Sequence, residues 1–188
     1  MATEALKVIT PEAILSYPHL REPRPDDNGK PWYNCVLVFP DGTDISALKK
    51  AVLDCARAKF GDKAPQMFAD EMLKSPFRKD WKKKGYPENS VFFSCKSKMA
   101  PGIVGLAPGR DGKPAPYTGE LYAGLIVRAS VRPYYYPQQG GGIAFGLGNI
   151  QVLRDGPRLD NRLAAEDEFE ANAEAAAAAG AVDFESLL

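Results

Sequence analysis

The sequence reads as a mainly β protein: a small closed barrel of about five strands with one or two helices, followed by a short acidic tail. Three observations carry this reading. Seventeen glycines and sixteen prolines in 188 residues favour many turns and short strands. Several segments dense in β-branched and aromatic residues are bounded by such turns, whereas one stretch alone repeats its apolar residues at helical spacing. After Arg162 the composition changes abruptly to alanine and acid. The length fits one domain, residues 1–162, and an appendage, residues 163–188.

Leu6 to Leu15 alternates imperfectly and reads as a first strand interrupted at Pro11. The stretch from His19 to Pro31 reads as a turn or mobile loop, with the Asn28-Gly29 step favouring a reversal. Trp32 to Phe39 is a strand that ends at Pro40-Asp41-Gly42. A helix starts near Thr43 or Asp44, either of which can cap free N–H groups, and runs to Gly61. Its apolar stripe is Ile45, Leu48, Val52, Leu53 and Ala56, with Lys49, Lys50, Arg57 and Lys59 left to solvent.

Val91 to Lys98, Leu121 to Tyr136 and Ile143 to Leu153 read as further strands. The stretch from Pro101 to Gly119 has too few periodic apolar residues for an element and reads as a long loop. Gly140 to Gly142 lack the following lysine and helix of a phosphate-binding loop, so a hairpin loop is expected. Residues 163–188 hold almost no bulky apolar residue, and the expectation is a mobile or frayed-helical extension.

Formal net charge is zero, but the charges are segregated. Residues 1–162 hold all 24 Lys and Arg against 17 acids, a surplus of seven, and the tail holds seven acids and no base. Cys35, Cys55 and Cys95 form no CxxC pair and read as free thiols of a reducing compartment. No leader-like or membrane-spanning apolar run is evident, so no membrane partner is expected. His19 is the only histidine, which removes histidine-based triads and multi-histidine metal sites. Asp155 and Asp160 are the nearest approach to a carboxylate pair. No enzyme, cofactor or metal is expected.

The richest stretch is Lys74 to Lys98, where Lys74, Arg78, Lys79, Lys82, Lys83, Lys84, Lys96 and Lys98 stand against only Asp80 and Glu88. Phe77, Trp81, Tyr86, Phe92 and Phe93 are interleaved with them. Single-stranded nucleic acid presents a line of phosphates and exposed base faces, so its groove needs cations and stacking surfaces together. Side chains two apart share a strand face, which sends Phe93 to the core and Phe92, Lys96 and Lys98 outward. The strand to Tyr136 repeats the pattern with Tyr122, Arg128 and Arg132, then Tyr134, Tyr135 and Tyr136. The ten basic residues are the candidate phosphate ligands. Phe77, Trp81, Tyr86, Phe92, Tyr122, Tyr134, Tyr135 and Tyr136 are the candidate stacking residues.

The stretch from Gly141 to Phe169 resembles the C-terminal signature of a family of tailed-phage single-stranded-DNA-binding proteins. Its marks are a glycine-led strand with Leu147, Asn149 and Gln151, then Asp155-Gly156, Arg162 and an acidic run ending in Phe169. Fainter similarity covers the Trp32 to Pro40 strand, the helix after it and Pro101 to Val104. The resemblance implies an OB-fold, a five-stranded barrel that binds oligonucleotides. It implies sequence-tolerant binding of single-stranded DNA in phage replication, recombination or repair, in the host cytoplasm. Asn149 and Gln151 need not touch DNA; holding the last strand would suffice.

The tail candidates are Glu166, Asp167, Glu168, Glu170, Asp183, Phe184 and Glu185, which would compete with DNA and dock replication proteins. The chain continues past Phe184 to Leu188, which departs from tails that end on an aromatic. A homodimer is compatible with the sequence. A DNA-annealing or virion-structural protein and, more remotely, a carboxylate-metal nuclease are the alternative readings.

Overall fold

A computed structural model describes residues 6–159. In chain order it contains β1 (Val8–Ile9), β2 (Ala13–Pro25), β3 (Pro31–Phe39), α1 (Ser46–Phe60), α2 (Ala64–Ala69) and α3 (Trp81–Lys84). Then follow β4 (Val91–Ser97), β5 (Ile103–Pro108), β6 (Pro114–Pro116), β7 (Ile126–Tyr136) and β8 (Gly142–Arg154). The sheet runs β1-β7-β2-β3-β4-β8-β5-β6, and a further β7–β8 pairing closes it. The closed ring is therefore β2-β3-β4-β8-β7, a five-stranded barrel of the OB type in which only β4 and β8 lie parallel.

Alternation within the barrel strands fills the interior. Leu15, Leu37, Phe93, Phe145 and Val127 come from the five strands in turn, and all are buried. Phe93 lies between Phe39 and Phe145, with ring centroids 5.5 and 4.3 Å away. Cys35 and Cys95 face each other inside it as free thiols, Sγ to Sγ 3.6 Å. Helix α1 lies against β7, β8 and β1 and buries Leu48, Ala51, Val52 and Ala56. Asp44 Oδ1 accepts the Ser46 N–H at 3.0 Å, and the left-handed Gly61 (φ +62°) ends the helix.

Three expectations are corrected. Pro101 to Gly119 is not a bare loop: Ile103 and Val104 pair in parallel with Ile150 and Gln151, and β5 and β6 form an outer hairpin. The pairing comes from β8, not from any local pattern, and the prolines are tolerated at a sheet edge. Asn149 and Gln151 hold this hairpin, Asn149 Oδ1 accepting the Gly102 N–H at 2.9 Å and Gln151 Nε2 donating to Gly105 O at 3.1 Å.

His19 to Pro31 is likewise mostly strand. The long arms of β2 and β3 extend to a tight turn where the Asp26 carboxylate accepts the N–H groups of Asn28 and Lys30. Lastly, Leu121 to Leu125 stays outside β7, because Gly124 adopts φ +119° with the Pro157 carbonyl packed where a side chain would stand. The short helices α2 and α3 were not expected.

Candidate nucleic-acid interface

Residues that point outward from the barrel form a surface whose rows run across the strands. One row is set by register alone: His19 pairs with Asn34, Asn34 with Lys96, Lys96 with Gly146, and Gly146 with Arg132. It spans β2, β3, β4, β8 and β7. Lys96 and Arg132 are exposed. Beside Asn34 on β3 stands Trp32, with the ammonium groups of Lys96 and Lys98 4.5 and 5.4 Å from its ring centre. Trp32 Nε1 donates to Asp26 Oδ2 at 3.0 Å, which fixes the indole against the β2–β3 turn. That network holds the Asp26 carboxyl below its usual range, the Lys30 N–H contributing most.

Tyr134 adjoins the row on β7, 37% exposed, and pairs with Ala144. Burial of its other half pushes its hydroxyl up. Trp32 and His19 were not among the residues singled out from sequence. The only local sign was an aromatic at a strand start, since the lysines beside Trp32 come from a strand more than sixty residues on.

The rest of the outer face of β3 and β4 is covered. After α2 the chain passes Gly142, where Lys74 N donates to Gly141 O, then pairs Arg78 with Phe92 before returning through α3. Tyr86 and Phe92 pack edge to face, centroids 5.0 Å apart, against Val38, Val36, Ile14 and Trp81. Phe92 is 2% and Tyr86 7% exposed. Neither offers a ring face to a base, which corrects the expectation for both. Phe77 stands edge-on to Phe93 and Phe145 at 6.0 Å, so it too is a packing residue. Trp81 is half-buried in the same cluster.

All ten candidate cations are exposed, and they divide by what holds them. Lys74, Lys79, Lys82, Lys83, Lys84, Lys96, Lys98 and Arg132 are exposed. Arg78 is engaged, ion-paired to Asp80 at 2.7 Å and set over the Phe92 ring at 5.1 Å. Arg128 lies four residues along β7 from Arg132, where its Nε donates to Gln151 Oε1 at 2.7 Å. It therefore belongs to the side facing the β5 edge and not to the row.

The tyrosines divide too. Tyr135 packs edge-on to Phe60 of α1 at 5.3 Å with Lys59 over its ring and turns from the row, whereas Tyr136 shares the outward face of Arg132 and Tyr134 and is half-buried beside Gly142. Tyr122 precedes β7; its hydroxyl donates to Asp155 at 2.8 Å, and the guanidinium of Arg158 covers its ring at 4.5 Å.

Tyr122, Arg158, Lys84, His19 and Tyr17 line a cleft of about 350 Å3 at the β2 end of the row. Tyr17 is exposed there because the β2 register shifts beside it and its backbone takes φ +45°. Among the described residues there is no group of three or more His, Cys, Asp or Glu able to hold a metal. Also among them, no helix is long and apolar enough to cross a membrane. The tail candidates Glu166 to Glu185, and Asp160, lie outside the described residues.

A family model described as the single-stranded-DNA-binding protein of Enterobacter phage Enc34 matches residues 6–179. Protein p50 of Acyrthosiphon pisum secondary endosymbiont phage 1 is 25% identical over 177 residues, covering 88% of this chain and 93% of that one. The structure of the bacteriophage Enc34 single-stranded-DNA-binding protein in complex with single-stranded DNA superposes with a TM-score of 0.64 at 20% identity. That match covers 81% of this chain and 88% of that one. Bacteriophage T7 gp2.5, a single-stranded-DNA-binding protein, superposes at 0.56 and 14% identity, covering 92% and 100%. At these identities the two superpositions establish the shared barrel.

Proposed function

The chain belongs to the family of the Enterobacter phage Enc34 single-stranded-DNA-binding protein, and from that membership we propose that it binds single-stranded DNA during phage replication. The observation that carries the site assignment is the union of Trp32, Lys96 and Lys98 on the second and third strands of the barrel. In OB-folds the face of these strands, with the loops joining strands one to two and four to five, is where oligonucleotides bind. Here those loops are the Asp26–Lys30 turn and Pro137–Gly141.

Bases stack on Trp32 and Tyr134, while Lys96, Lys98 and Arg132 meet the phosphates between them. Neither ring reads a base edge, so binding tolerates any sequence. The basic run Lys82 to Lys84 extends the positive field past Tyr86 towards the cleft at Tyr17. Binding protects the strand for replication and, on the same footing, for recombination and repair inside the infected cell. The acidic tail, with seven negative charges against the body's surplus of seven, competes for this face and recruits replication proteins when displaced.

Titrating fluorescent oligo(dT) across ionic strength tests the reading. The affinity should fall steeply with salt, with a log–log slope of about −0.7 for each phosphate neutralised. Lys96→Ala should flatten that slope by about one such increment. Affinity that is the same at 50 and 300 mM salt would refute an electrostatic interface. Ending the chain at Arg162 should tighten binding, and unchanged affinity would remove the tail from the mechanism.

A further inference from the structure

We propose, building on the reading above, that the bound strand crosses the barrel directly over Gly146 of β8, one nucleotide resting on the bare peptide there. Glycines are required in a fold where the backbone takes a positive φ or where no space remains for a Cβ. Around this end of the barrel, Gly140 and Gly141 adopt φ of +88° and +82°, which side-chain-bearing residues rarely take. Gly142 and Gly148 have no room: a Cβ would run into Tyr136 and Lys74 at the first and into Ser130 at the second. Gly146 has neither reason. Its backbone is outside the left-handed region, and a Cβ would lie 3.6 Å from Arg132 O and 4.0 Å from Tyr134 Cδ1, both ordinary contacts.

A glycine within a strand weakens it, and one that the fold does not demand marks where something approaches the backbone closely. What approaches is indicated by the neighbours. Gly146 faces outward between the buried Phe145 and Leu147, and its register partners are Lys96 on one side and Arg132 on the other. It is thus the floor between two exposed cations, with the half-exposed Tyr134 ring at its edge. A nucleotide placed there sets its base against Tyr134 and its flanking phosphates towards Lys96 and Arg132. Any side chain at position 146 would stand in that space and lift the strand from all three groups.

The experiment is a graded series, Gly146→Ala, Gly146→Val and Gly146→Leu, with Gly105→Ala as control. Gly105 likewise tolerates a Cβ, 3.8 Å from Tyr117, but lies on β5 away from the row. Each variant is checked by circular dichroism, and oligo(dT) affinity is measured below its melting transition. Affinity should fall with side-chain volume, reaching about tenfold or more for leucine, the loss of one stacked base. Gly105→Ala should bind like the parent chain. In the Gly146→Leu background, Tyr134→Ala should add less than it does alone, because the leucine already keeps the base off the ring. Folded variants whose affinity does not depend on volume overturn the placement at Gly146. A parent chain that fails to bind oligo(dT) overturns the function itself, so the two failures are distinguishable. Should leucine prevent folding, the alanine and valine variants decide the question.

Discussion

The outer face of β3 and β4 has two halves that share strands, alternation and residue types, yet meet opposite fates. Towards the ends of β3 and β4 at Phe39 and Val91, Val38 and Phe92 lie beneath Tyr86 and the chain from Lys74 to Ser90, dry and tightly packed. Towards the other end, Lys96 and Lys98 are exposed and Trp32 and Asn34 partly so, beside the β2–β3 turn. Pointing outward from a strand therefore does not mean meeting solvent. The segment between α2 and β4 decides which outward residues become a second core and which remain a surface.

The comparison is sharpest when one aromatic is removed from each half. Phe92→Ala should cost about 3–5 kcal/mol of stability, as for other large buried rings, while leaving oligo(dT) affinity of the folded protein unchanged. Chemical denaturation and titration on one sample would show it; a loss of affinity without loss of stability would place Phe92 at the interface after all. Trp32→Ala should do the reverse, lowering affinity by about 1–3 kcal/mol while changing stability much less.

The smallest effect is the most local. Tyr86 donates its hydroxyl to Ser16 Oγ at 2.9 Å, and Tyr86→Phe should cost about 0.5–1.5 kcal/mol. Burial, its main cause, raises the folded pKa of Tyr86 above the unfolded value of about 10. The unfolded chain thus sheds this proton first, so stability is intact below pH 10 and declines as pH rises above it. The phenylalanine variant should lose part of that alkaline decline. An unaltered alkaline limb would mean that the covered half is wet.

These halves also show what could be read from residues alone. Trp32 to Phe39, Val91 to Lys98 and Ile143 to Leu153 were legible because each is bounded by turns and dense in strand-forming residues, and parity sent Phe93 inward, where it is buried. Parity also sent Phe92, Lys96 and Lys98 outward together, and it could not separate them, because the cover over Phe92 is a tertiary contact. The lysine-rich run itself was legible as charge. Its aromatics were less so: Phe77 and Tyr86 turn into packed clusters, and Trp81 is half-buried against one of them. Trp32 was not singled out because its cationic partners arrive from β4 and its end, and β5 was missed because its pairing partner is β8. Interactions of that kind leave no periodicity in either segment.

The row from His19 to Arg132 has a length as well as a composition. It crosses four gaps between neighbouring strands, each about 4.8 Å, so its path along the curved barrel surface is about 19 Å. At roughly 3.4 Å per stacked nucleotide this accommodates on the order of five nucleotides, near the small end of OB-fold footprints. On the proposed interface, coating a long gap would then be a matter of supply, each thousand exposed nucleotides calling for on the order of two hundred copies.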